Sequence, residues 1–384
     1  MKRMGMILGT TRQVMLGMSW IVLGASLAAL TGCDGFFVDQ KSGSGGGTGT
    51  TGNYVYVANS GTNTLAALSI GTGTLTALTG SPLALAYSPN SMVVTPNNKF
   101  LYVGGPGAIY VYTIATDGTI SGASAGAAVA ISNDVALDVS PDGNWLFALN
   151  GTSTQLDEFK INTSTGALTS VTPTPYSVAT AVVVPRMVKI SPNGSLIFIA
   201  LGTGGDFVFT FNTTTGVVVN SQQLTLGATT SDNAIAVDSN SAYLYLARSG
   251  TGGGVAVYSI GSTGALNAVS GTPFAAGALT YALQLDSTGK SLYAANRTDG
   301  TISGYTLGTG GGLTAISGSP YASGSLVTSL ARDKTGKYLL AASYGGSSDL
   351  TLYTIDSTVA GKLNPTTVAA TGMSAGAIAV ATTH

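Results

Sequence analysis

This chain is short of the residues that most enzyme chemistry needs. Among 384 positions it holds one cysteine, one histidine and one glutamate, and charged residues make up only 8% of it. A single cysteine, Cys33, excludes a disulfide framework, so stability has to come from core packing and hydrogen-bonded backbone. No metal cluster, P-loop, dinucleotide fingerprint or Ser/His/Asp set can be assembled, and no cofactor is implied. Basic residues form no stripe, which argues against nucleic acid as a partner.

What is present begins with a targeting segment. Lys2, Arg3 and Arg12 give a positive start and Val14 to Leu30 an apolar run of seventeen residues, marginal for spanning a bilayer. "LTGC" (Leu30 to Cys33) closes it and resembles a bacterial lipobox, in which the cysteine is lipidated and becomes the first residue. Residues 1–32 therefore read as a lipoprotein signal peptide, with Cys33 as the lipidation site and the cell envelope, periplasmic or surface-exposed, as the address. Removing them leaves 12 basic residues against 16 acidic ones, a net charge of about −4. Residues 33–52 include "KSGSGGGTGTTG", too glycine-rich to bury anything, and read as a tether that would reach roughly 25 Å as a coil. The folded body is expected over 53–384.

Seven segments in that body repeat at intervals of 45 to 51 residues: "YVYVAN" (54), "FLYVGG" (100), "WLFALN" (145), "LIFIAL" (196), "YLYLAR" (243), "SLYAAN" (291) and "YLLAAS" (338). Each is followed by a second strand with a large residue at a fixed place (Leu68, Tyr112, Phe159, Phe209, Tyr258, Tyr305, Tyr353). A third strand follows a glycine turn, as in "TGALTSV", and a fourth precedes the next repeat, as in "VALDVS". Four strands in about 47 residues is the signature of a β-propeller blade, whereas a β-helix coil is about half as long. The expected fold is all-β, a single seven-bladed propeller with four antiparallel strands per blade.

Between fourth strand and next repeat lies a turn of the "SPDG" kind. Its first position is Thr95, Ser140, Ser191, Asp238, Asp286 and Asp333, all short side chains able to cap a turn, so the three aspartates belong to a structural column. The first repeat lacks a preceding strand and the last is followed by a spare one, Ala375 to Thr383. That segment is expected to close the ring against the strand from Tyr54.

"YVYVANSGTNTL" and "SLYAANRTDGTI" resemble YVTN-type propeller repeats. "GSPLA", "GTPFAAG" and "GSPYASG" make residues 54–384 similar to the seven-bladed lactonase family, which includes 6-phosphogluconolactonases and fungal carboxymuconate-lactonizing enzymes. The resemblance implies histidine, arginine and glutamate around a central pocket. Here the only histidine is His384, read as a frayed tail at the chain end, and the only glutamate is Glu158, read as a solvated strand residue.

Topology supplies other candidates. Loops at the starts of the inner strands surround the channel mouth and carry Asn90, Asp134, Arg186, Asp232 with Asn233, Tyr281 and Thr328; neighbouring loops add Arg248 and Arg297. Three of the four arginines beyond the leader thus fall on one face, in consecutive blades, as an arc suited to carboxylate or phosphate. Asp138 and Lys189 share one inner-strand position in adjacent blades and are expected to pair. The sequence reading is a monomeric, lipid-anchored propeller that binds a small anionic sugar or lactone, or a protein partner, at this mouth. Two alternatives stand beside it. One is a lactone hydrolase with Asp134 or Asp232 as base and Arg186, Arg248 or Arg297 on the anion; the other is a structural surface protein.

Overall fold

The computed structural model describes residues 51–122, 129–151, 155–171, 176–177, 184–345, 348–372 and 376–384, the side chains of 132–134 and 177 excepted. The leader, Cys33 and the tether as far as residue 50 lie outside the described residues.

The seven repeated segments form the second strand of each blade: Tyr54–Asn59, the first part of Phe100–Ile114, Trp145–Asn150, Leu196–Ala200, Tyr243–Gly250, Ser291–Asn296 and Tyr338–Ser343. Each lies between an inner strand and a third strand in an antiparallel sheet, and the chain builds a seven-bladed β-propeller. The last strand, Ala377–Thr382, is the inner strand of the first blade; Val55 faces Thr382 and Val57 faces Val380. The second and third blades are fused into one sheet. Val129–Val139 pairs through its first half with residues 106–109 and through its second half with Trp145–Asn150.

The expected turn column is present in full. Thr95, Ser140 and Ser191 accept the backbone N–H of Phe100, Trp145 and Leu196 at 3.1, 3.0 and 2.9 Å. Asp238, Asp286 and Asp333 do the same for Tyr243, Ser291 and Tyr338 at 2.6, 3.2 and 2.8 Å. A seventh member joins the chain ends: Thr383 Oγ1 accepts from Tyr54 N at 3.0 Å and donates to Gly52 O at 2.9 Å. The Gly-Ser/Thr-Pro motif is structural as well. Ser81, Thr272 and Ser319 accept the N–H of Ala67, Val257 and Gly304, locking the third strand of their blades.

Blades are tied to one another by tyrosines of the second strand, whose hydroxyls donate to a turn of the next blade: Tyr56 to Gly118 O, Tyr102 to Gly166 O, and Tyr293 to Gly361 O. Because both faces of a blade pack on neighbours, whole strands are buried, Trp145–Asn150 and Ser291–Asn296 at every position. This corrects the reading of Glu158 as solvated. It is 4% exposed, with Oε2 accepting from Tyr176 OH at 3.2 Å and Oε1 unpartnered among the described residues. Burial pushes its carboxyl up to about 7.

Candidate binding site at the channel mouth

All inner strands run in the same direction, so their starts gather at one end of the channel. Register identifies equivalent positions. The fifth residues of the second strands pair with Ala379, Ser91, Ala136, Met187, Ala234, Ala282 and Ser329. The residue before each of these is Ile378, Asn90, Val135, Arg186, Asn233, Tyr281 and Thr328, one per blade. In the first, third, fifth, sixth and seventh blades the register shifts at that residue, a bulge that re-aims a side chain where a strand begins. Five residues expected at the mouth, Asn90, Arg186, Asn233, Tyr281 and Thr328, thus form one ring. Asp134 precedes the ring position; its backbone pairs with Asn150 and its side chain lies outside the described residues.

Part of the ring serves the fold. Asn233 donates to Ser249 Oγ at 2.9 Å and across to the next blade at Thr280 O, 3.0 Å. Thr328 donates to Ala377 O of the first blade at 2.7 Å. Asn90 N donates to Gly104 O.

The arginines divide into two kinds. Arg248 grips Asp232 with both edges of its fork, Nε to Oδ1 at 2.8 Å and Nη2 to Oδ2 at 2.7 Å. Asp232 is fully buried in that pair, which leaves it no lone pair turned to solvent for activating water. Against it lies Asp206, 2% exposed, the first residue of Asp206–Phe211 in the adjacent fourth blade. Desolvation first, and then the Asp232 carboxylate, hold the Asp206 carboxyl well above the usual range, with Arg248 pulling the other way. Nothing in the sequence marks Asp206, which follows the glycine-rich "GTGG".

Arg186 and Arg297 are the other kind. Both have a buried Nε with no hydrogen-bond partner among the described residues. Arg297 is held with its guanidinium carbon 4.7 Å from the Tyr281 ring centroid, a cation–π contact. Arg186 follows Pro185 in the fourth blade, and its backbone N–H donates to Ala200 O at 2.9 Å.

Farther along the channel, Lys189 pairs with Asp138 at 3.0 Å, and Asp138 also accepts from Ile190 N at 2.7 Å. His384 is no loose tail. It lies beyond the far end of the inner strands, with its amide bonded to Asn98 Oδ1 and its Nε2 3.3 Å from Val94 O.

The chain matches the sequence profile of the seven-bladed β-propeller lactonases over residues 109–231, 202–314 and 242–378. No curated protein matches it in sequence. Among solved structures it is similar to a candidate 6-phosphogluconolactonase of Bacteroides uniformis, at 17% identity and a TM-score of 0.72, covering 86% of this chain and 99% of that one. The periplasmic gluconolactonase of Pseudomonas aeruginosa gives 15% and 0.68 over 86% and 99%. Hydrazine synthase of Kuenenia stuttgartiensis gives 18% and 0.60 over 78% and 91%. At such identities the shared property is the fold.

Proposed function

Because the chain belongs to the seven-bladed β-propeller lactonase family, we propose that it binds a small organic anion at its channel mouth, on Arg186 and Arg297. The observation that carries this reading is the pair of guanidinium groups whose buried Nε atoms lack a partner among the described residues, while Arg248 is consumed by Asp232. Leaving a buried donor unsatisfied costs about 1–3 kcal/mol, and a charge-assisted hydrogen bond donated to an anion removes that cost. Sulfate, gluconate and 6-phosphogluconate should each raise the melting temperature, and Arg186→Gln with Arg297→Gln should abolish the shift without lowering the unliganded melting point. Equal shifts in parent and variant, or none from any anion, would overturn the reading.

A second reading, lactone hydrolysis, is favoured by the family profile. With Asp232 locked by Arg248, the remaining candidate base is Asp134, and Arg186 or Arg297 would stabilise the oxyanion. A pH-stat assay on sugar-acid lactones tests it: acid release abolished by Asp134→Asn supports hydrolysis, and no release above background removes it. The lipobox supports anchoring in the cell envelope through Cys33. Cys33→Ser should move the protein from the membrane fraction to the soluble one, and unchanged fractionation would refute the anchor.

A further inference from the structure

Eight large hydrophobic residues are exposed among the described residues, and their distribution is uneven. Val217, Val219, Val359 and Val368 lie on or beside the outer strands of the fourth and seventh blades. The other four, Val184, Leu279, Leu326 and Tyr344, belong to the mouth. Val184, Leu279 and Leu326 each stand two residues before the ring residue of their blade, respectively Arg186, Tyr281 and Thr328.

The two leucines are conformationally expensive. Their φ values are +57° and +55°, the left-handed region in which a Cβ crowds the backbone. The equivalent residue of the first blade is Gly376, at φ +48°, the residue type that takes this conformation without strain. Leu279 and Leu326 are 37% and 40% exposed, so burial within the fold offsets the strain only in part. Strain kept at an exposed apolar residue, twice, at equivalent places beside a candidate site, points to contact with something outside the fold. Backbone bonds show what each leucine adjoins. Arg297 N donates to Leu279 O at 3.0 Å, and Tyr344 N donates to Leu326 O at 2.9 Å. Arg297, with its guanidinium over Tyr281, therefore stands next to Leu279, while Tyr344 stands next to Leu326 in the adjoining blade.

We propose that the ligand of this mouth is an amphiphilic carboxylate, its charged group on Arg297 or Arg186 and its acyl chain across Leu279, Leu326 and Tyr344. The proposal rests on the anion-binding reading above and adds the ligand class. A fully hydroxylated sugar acid would leave these side chains against water or polar groups, whereas an acyl chain covers them and gains about the transfer free energy of each methylene it buries.

Calorimetric titration with butyrate, hexanoate and octanoate, with sulfate as an anion lacking an apolar part, tests this directly. Affinity of the parent should rise roughly two- to threefold per added methylene, less than the roughly fourfold that full burial would give. Leu279→Gly with Leu326→Gly should flatten that series. The same variant should melt at or above the parent temperature, because glycine relieves the positive φ, and sulfate should bind both proteins alike. Octanoate binding no tighter than butyrate, or an unchanged chain-length series in the variant, would overturn the proposal while leaving the anion site standing if sulfate binds. Failure of every anion to bind would overturn both.

Discussion

Thr383→Val isolates the hydrogen bonds by which the two ends of the ring are joined. Valine keeps the shape of threonine and removes only the hydroxyl, which accepts from Tyr54 N at 3.0 Å and donates to Gly52 O at 2.9 Å; Thr383 itself is 1% exposed. The Tyr54 amide would lose its partner, at a cost of about 1–3 kcal/mol. Unfolding entropy near 2 cal/mol/K per residue over a body of roughly 330 residues converts 2 kcal/mol into about 3 °C of melting temperature. Thr95→Val supplies the control, since Thr95 caps Phe100 N at 3.1 Å in the same geometry but within a continuous turn. Both variants should melt about 2–4 °C below the parent by scanning calorimetry. A normal Thr383→Val protein beside a destabilised Thr95→Val protein would refute the reasoning, because the seventh turn would then carry none of the load its six counterparts carry.

Glu158 should give stability a pH dependence of definite sign. Its folded-state carboxyl, raised to about 7 by burial, holds a proton that the unfolded chain releases, so stability is full below about pH 4 and declines as pH rises through about 7. Glu158→Gln should remove up to about 3 kcal/mol of that decline, and melting curves of both proteins from pH 4 to 9 would check it. Asp206 carries the same sign, with stability lost as pH rises above the ordinary carboxylate range, and Asp206→Asn should melt with less pH dependence than the parent. Arg248→Gln leaves Asp232 buried without its cation and should cost about 3–5 kcal/mol in denaturant unfolding, with Asp232→Asn in the same chain recovering part of the loss.

Repeat number and the turn column were readable because each is local, and ring closure because the repeats leave one strand over. A Ser, Thr or Asp before a turn caps whichever blade follows it, and the spare C-terminal strand could pair only with the blade lacking one. Glu158 shows where local reading fails. Alternation marks solvent only when one face of a sheet is wet, and in a propeller both faces of Gln155–Ile161 meet other blades. The mouth was legible as a list of positions but not as a set of roles. Asp232 and Arg248 lie sixteen residues apart in the chain, and only the pairing of Thr230–Val237 with Tyr243–Gly250 sets them opposite each other. Asp206 joins them from a different blade, a contact that no spacing encodes. Leu279 and Leu326 are set apart only by their φ and exposure, which spacing does not encode.

The arginine side chains themselves report most directly on the mouth. In proton–nitrogen correlation spectra, assigned through single Arg→Lys variants, the Nε–H signals of Arg186, Arg248, Arg297 and Arg332 can be followed while gluconate is added. Saturable shifts are expected at Arg186 or Arg297, whose Nε atoms are buried and unpartnered among the described residues, with Arg248 held still by Asp232 as the internal reference. Signals of Arg186 and Arg297 that stay fixed throughout the titration, or move no more than that of Arg248, would contradict an anion site at the channel mouth.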